Sequence, residues 1–127
     1  MIANTPIHAV LPASDLERAR RWYAEKLGLE PVETTPFGDL RYRAGGVEFL
    51  LYPSELAGTN KATAAGFRLE DFDGVVAFLR SNGVAFEHVD FGEMGATVDG
   101  VISMPDGQKA AWFKDSEGNT FALSTAD

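Results

Sequence analysis

The sequence contains no cysteine. That excludes disulfides, thiolate metal ligands and a cysteine nucleophile. It has no apolar run near the about 20 residues that a membrane helix requires. Its N-terminal stretch lacks a basic segment followed by an apolar one, so no secretion signal is expected and the expected location is cytoplasmic. Basic residues are the minority: 11 Lys and Arg stand against 19 Asp and Glu, for a net charge of −8. Nucleic acid, whose phosphates require a basic face, is therefore not an expected partner, and neither is a membrane. The one basic cluster, Arg18, Arg20 and Arg21, falls on a predicted helix and is expected to face solvent. Histidine occurs only at His8 and His88. No GxSxG, HExxH or phosphate-binding glycine loop is present.

What is present is a chain of 127 residues, 45% hydrophobic, with 13 glycines as punctuation. That length suits one domain, 1–127, with a core of its own. Ile7 to Leu11 reads as a short strand interrupted by Pro12. Ser14 or Asp15 caps a helix whose apolar stripe is Leu16, Ala19, Tyr23 and Leu27, with Trp22 beside it and Gly28 at its end. Leu29 to Thr34 reads as a strand. Leu40 to Ala44 and Val47 to Tyr52 flank Gly45-Gly46, a hairpin signal. After the polar connector Pro53 to Thr63 the order begins again. Phe67 to Leu69 is a strand, Asp71 or Asp73 caps a helix carrying Val75, Val76, Phe78 and Leu79, and Gly83 ends it. Strands follow at Val84 to Val89, Val101 to Met104, Ala110 to Lys114 and Thr120 to Ser124. Asp115 and Glu117 fall in the turn before the last of these and are expected to shape it.

The halves, about 5–55 and 62–125, superpose in sequence. Asp15 falls on Asp71, Ala19 on Val75 and Trp22 on Phe78, all at an offset of 56 residues. A long period seen twice signals internal duplication. The expected fold is α/β (α+β): tandem βαβββ units whose curved sheet surrounds a central cleft, the favoured place for a small molecule.

Three segments carry a family likeness: Ile7 to Tyr23, with Leu27-Gly28-Leu29 after it; Phe67 to Asp73; and Phe113 to Phe121. In that order they resemble the vicinal oxygen chelate superfamily, which includes glyoxalase I, extradiol dioxygenases, fosfomycin-resistance enzymes and bleomycin-binding proteins. The resemblance implies a homodimer. In catalytic members it also implies one divalent ion held by four ligands. Carried over, these positions fall on His8, on Phe49 or Leu50 with Glu48 beside them, on Ala64 or Ala65, and on Ala122. Only His8 and Glu48 offer a donor, so no metal cofactor is expected; those two are the weak metal candidates.

Strand alternation then gives the expected lining of the cleft. It comprises His8, Val10, Arg68 and Ser124, either Leu50 and Tyr52 with Glu48 or else Phe49 and Leu51 on the hairpin strand, one of Trp112 and Phe113, and Tyr42 if it faces inward. Arg68 is either a ligand-reading group or a partner of Glu70. Phe91 to Ala96 is either a lid or a connector. The expected function is metal-independent binding of an apolar or aromatic molecule, as in antibiotic sequestration by the bleomycin-binding branch. The overall acidity suits a cationic ligand. The alternative is a divalent-metal lyase, isomerase or dioxygenase using His8 and Glu48, and the third possibility is an interaction domain without pocket chemistry.

Overall fold

The structure, a computed structural model of the chain, describes residues 1–126. Strand β1 (Ala9–Ala13) leads into helix α1 (Leu16–Trp22), which continues through a wider π-type turn at Tyr23–Leu27. Strands β2 (Glu33–Thr34), β3 (Leu40–Ala44) and β4 (Val47–Pro53) complete the first half. The second half comprises β5 (Thr63–Leu69), α2 (Phe72–Ser81), β6 (Val101–Ser103), β7 (Lys109–Lys114) and β8 (Thr120–Thr125). Among the described residues no helix is long and apolar enough to cross a membrane.

Local chemistry explains the boundaries. The Asp15 carboxylate accepts from the Arg18 backbone N–H at 3.0 Å, and the Asp71 carboxylate accepts from that of Gly74 at 3.1 Å. Each caps an otherwise unpaired first-turn donor. Both central residues of the β3–β4 turn, Gly45 and Gly46, have positive φ (59° and 81°), a geometry that a side chain at either position would oppose.

The sheets repeat as the helices do. One runs β1-β4-β3-β2 and the other β5-β8-β7-β6, with β1–β4 and β5–β8 parallel and the remaining pairs antiparallel. Three local expectations differ from the outcome. Pro12 lies within β1, because β1 is an edge strand and its missing N–H breaks no ladder on the outer side. Leu29 to Thr34 yields only the two-residue β2, since Pro31 withholds a donor from most of that stretch. Val84 to Val89 forms no named strand; only Phe86 bridges to Phe113.

One buried cluster draws on both sheets and both helices. It includes Leu11, Tyr42 and Leu51 from the first sheet, Phe113, Phe121 and Leu123 from the second, Ala19 of α1, and Phe72, Val76 and Leu79 of α2. Packed rings cross it: Tyr42 stacks on Phe49 at 5.2 Å and lies tilted 5.3 Å from Tyr23, and Tyr23 meets Phe121 edge-on at 6.3 Å. Each such pair adds about 0.5–1.5 kcal/mol beyond its area burial.

A buried polar joint fixes α1 against the β7–β8 turn. The Asp115 carboxylate accepts from Tyr23 Oη at 2.6 Å, from the backbone N–H groups of Glu117 and Asn119, both at 2.8 Å, and from Asn119 Nδ2 at 2.9 Å. Burial first, and the Asp115 carboxylate second, push the Tyr23 hydroxyl well above its ordinary pKa. The Glu117 side chain, with no solvent exposure, accepts from Arg18 Nε at 2.9 Å, Ser116 Oγ at 2.7 Å and the Asp15 backbone N–H at 3.0 Å. Arg18 is thus held by the second half rather than left free in solvent. Asp115 and Glu117 do shape their turn, and they also join the halves.

Two predictions follow from this joint. Replacing Asp115 by Ala strands the Tyr23 hydroxyl and neighbouring amides in a buried site, each unpaired group costing about 1–3 kcal/mol. D115A is expected to lower unfolding free energy by about 3 kcal/mol or more in urea denaturation, and Y23F by about 1–2 kcal/mol. The Glu117 carboxyl titrates at about 2 instead of 4.5: burial pushes it up, but its hydrogen bonds from Arg18, Ser116 and Asp15 outweigh that. Its folded pKa lies below its unfolded one, so its contribution is complete above about pH 4.5 and is lost as pH falls toward 2, up to about 3 kcal/mol. E117Q is expected to flatten the fall in Tm across that window, as followed by circular dichroism melts.

Candidate functional site

β1 is the outer strand of one sheet and β5 the outer strand of the other, and no ladder joins them. They approach across a seam in opposite directions. At one end Asn119 Nδ2 donates to the Pro12 carbonyl at 2.9 Å, near the N-terminal end of β5. At the other end the seam opens into a cavity of about 610 Å³. β1 and the segment before it contribute Ile7, His8 and Ala9 to its wall. The β3–β4 hairpin contributes Val47, Glu48 and Phe49, β5 contributes Ala65 to Arg68, and β8 contributes Phe121. Phe121 is 2% exposed, whereas His8 and Arg68 are exposed. Apolar rings therefore form the floor, and polar groups the mouth.

Among the described residues three ionisable side chains reach this cavity. Glu48 is committed: Arg43 Nη2 donates to its carboxylate at 2.8 Å. His8 and Arg68 have no hydrogen-bond or ion-pair partner among the described residues, and Arg68 forms no pair with Glu70.

The other expected lining residues are dispersed. Val10 lines a smaller cavity of about 300 Å³ farther along the seam, with Pro12, Ala64 and Asn119. Leu50 and Tyr52 lie opposite Val10 and Pro12 in the β1–β4 ladder, on the face that also carries Glu48, but line neither seam cavity. Ser124 pairs in register with Arg68 and is exposed, outside both. Trp112 faces away from the core while Phe113 is fully buried in it. Trp112 lines a third, open cavity of about 450 Å³ with His88, Phe91 and Lys61. Phe91 packs its ring 5.4 Å from Trp112, so this end of the Phe91 to Ala96 loop lies beside the second sheet and not at the seam cavity. His88 Nδ1 meets Thr97 Oγ1 at 3.0 Å.

Tyr42 requires correction. It lies in the core, fully buried between Tyr23 and Phe49, not in the cleft. The parity of β3 that buries Leu40 also buries Tyr42. Its hydroxyl has no partner among the described residues, and burial pushes its pKa to about 12.

The residues that strand alternation missed are Phe67 and Phe121, with Ile7 and Val47. Alternation assigns one face of each strand to a site. An open seam between two edge strands exposes both faces, so core-facing rings join outward-facing polar groups.

The sequence profile of the Glyoxalase/Bleomycin resistance protein/Dioxygenase superfamily matches residues 5–123. The chain belongs to this superfamily. No curated protein sequence matches it. Among solved structures it is similar to a superfamily member from Sphaerobacter thermophilus, at 25% identity and a TM-score of 0.69, covering 97% of this chain and 98% of that one. It is also similar to a lactoylglutathione lyase from Agrobacterium tumefaciens, at 18% identity and a TM-score of 0.69 over 96% and 93% of the two chains. A third is a fosfomycin resistance protein from Listeria monocytogenes, solved with Mn(II) and a dihydroxypropylphosphonic acid, at 13% identity and a TM-score of 0.65 over 97% and 91%. At these last two identities the likeness is one of fold.

The residues at the superfamily's metal positions do not fit an ion. Ala122 and Ala64 or Ala65 carry no donor, Leu50 and Phe49 are apolar, and Glu48 is paired with Arg43. Among the described residues no three His, Cys, Asp or Glu side chains gather closely enough to hold a metal. A single His with one shared carboxylate falls short of the three protein ligands that catalytic sites use.

The orphaned Tyr42 hydroxyl yields a prediction. Because it is buried without a partner, Y42F is expected to leave stability unchanged or raise it by about 1 kcal/mol in urea denaturation. Ligand affinity at the seam is expected to be unaffected.

Proposed function

We propose that this chain is a metal-independent binding protein that holds a small apolar or aromatic molecule in the seam cavity, in the manner of the bleomycin-binding branch of its superfamily. The observation that carries the reading is the cavity itself: about 610 Å³, floored by Phe49, Phe67 and Phe121, with only His8, Glu48 and Arg68 as ionisable lining. Cavities of this size and lining enclose most of a drug-sized molecule, and a few polar groups suffice to orient it. His8 and Glu48 are two donors, fewer than the three protein ligands that catalytic metal sites use. A metal-dependent enzyme is the second reading, favoured by the presence of both His8 and Glu48 in the cavity wall. The proposal includes a cytoplasmic homodimer, supported by superfamily likeness and measurable by analytical ultracentrifugation.

Elemental analysis of the purified protein, with and without chelator, separates the two readings. Ni, Zn, Mn and Fe are expected far below one equivalent per chain; a stoichiometric ion removed by chelator would sink the binding reading. A thermal-shift screen against aromatic and glycopeptide antibiotics is expected to find a stabilising compound. A ligand at 100 times its Kd adds about 2.7 kcal/mol. F67A is expected to weaken a compound bound at the seam by about tenfold, whereas a compound bound elsewhere would be unaffected.

A further inference from the structure

The seam cavity has a charge pattern opposite to that of the whole molecule. The chain carries a net charge of −8. Exposed charges act over about 8–10 Å at physiological salt, so groups at the mouth of the cavity dominate what a bound molecule experiences. Among the described residues its only lining carboxylate, Glu48, receives Arg43 Nη2 at 2.8 Å, so that pair presents little net charge. Arg68 lines the same cavity, on the same strand as the Phe67 ring that faces the floor, and its guanidinium has no partner among the described residues. His8, on the facing strand, is a second unpartnered donor. Other arginines with an acid in reach are engaged: Arg18 with Glu117, Arg41 with Glu33 and Arg43 with Glu48.

We infer that the seam cavity selects an aromatic or apolar molecule bearing an anionic group, read by Arg68 with His8 as a second donor; this rests on the binding function proposed above. An arginine fork matches a carboxylate or similar oxyanion with two parallel hydrogen bonds. The adjacent rings supply apolar contact for the body of the ligand. The cationic ligand suggested by overall composition is therefore replaced by an anionic one, because the cavity wall, not the chain's total charge, sets the local field.

Three probes share one ring system and differ in charge: naphthoate, naphthamide and naphthylmethylamine. Amide chemical-shift titration of the full chain reads both affinity and place. The expected result is that naphthoate moves the Gly66, Phe67 and Arg68 amides and binds at least tenfold more tightly than naphthamide, about 1.4 kcal/mol. R68Q, at an exposed position, is expected to cut the naphthoate-over-naphthamide preference from at least tenfold to less than about twofold. Equal binding of naphthoate and naphthamide, tighter binding of the amine, or a preference that survives R68Q would each overturn the anion inference while leaving the seam as a binding site. If none of the probes moved the seam amides, both the inference and the binding function beneath it would be lost.

Discussion

The Asp115 carboxylate is buried where the two halves of the chain meet, and the Tyr23 hydroxyl from α1 donates to it at 2.6 Å. That contact lies 92 residues apart in sequence. It places the first helix over the β7–β8 turn of the second sheet, and Glu117 and Arg18 secure the same junction from the surface side. A buried carboxylate is costly unless its lone pairs are filled, and here four donors fill them. Three of those donors belong to the turn itself and the fourth to the first helix, so a shifted helix would strip the Tyr23 hydroxyl from a buried carboxylate. With the halves so fixed, the edges of β1 and β5 are brought face to face.

The cavity follows from what those edges do not do. Each sheet is complete in its own ladder, and the two are held together by a common core instead of a continuous run of strand hydrogen bonds. Asn119 bridges the seam at Pro12, and the seam widens at the end where His8 and Arg68 stand. The duplicated fold thus supplies a site without a dedicated loop to build it. Rings of both sheets line the cavity floor, and at its mouth Glu48 is paired with Arg43.

Much of the architecture was readable from the chain. Both N-caps fall at the residues 56 apart, Asp15 and Asp71, because a carboxylate ahead of an apolar 3.6-residue stripe satisfies first-turn amides wherever it occurs. The Gly45-Gly46 hairpin was legible for an equally local reason. Val84 to Val89 has β-forming residues, but local pattern does not tell whether a neighbouring ladder will accept them; β7 takes a single bridge, Phe86 to Phe113, with the Glu87 N–H donating to the Trp112 carbonyl. Tyr42 was misplaced because alternation gives two faces but not which face the core occupies.

The sequence by itself determined the duplicated fold and the superfamily, since these depend on residue identity and local periodicity. Only the tertiary structure decided which residues share a cavity. His8, Glu48, Phe67, Arg68 and Phe121 are scattered over more than 100 positions and converge because two unpaired strand edges meet. It also decided which charged side chains are already paired, such as Arg43 with Glu48, because pairing depends on contacts across the fold and not on composition.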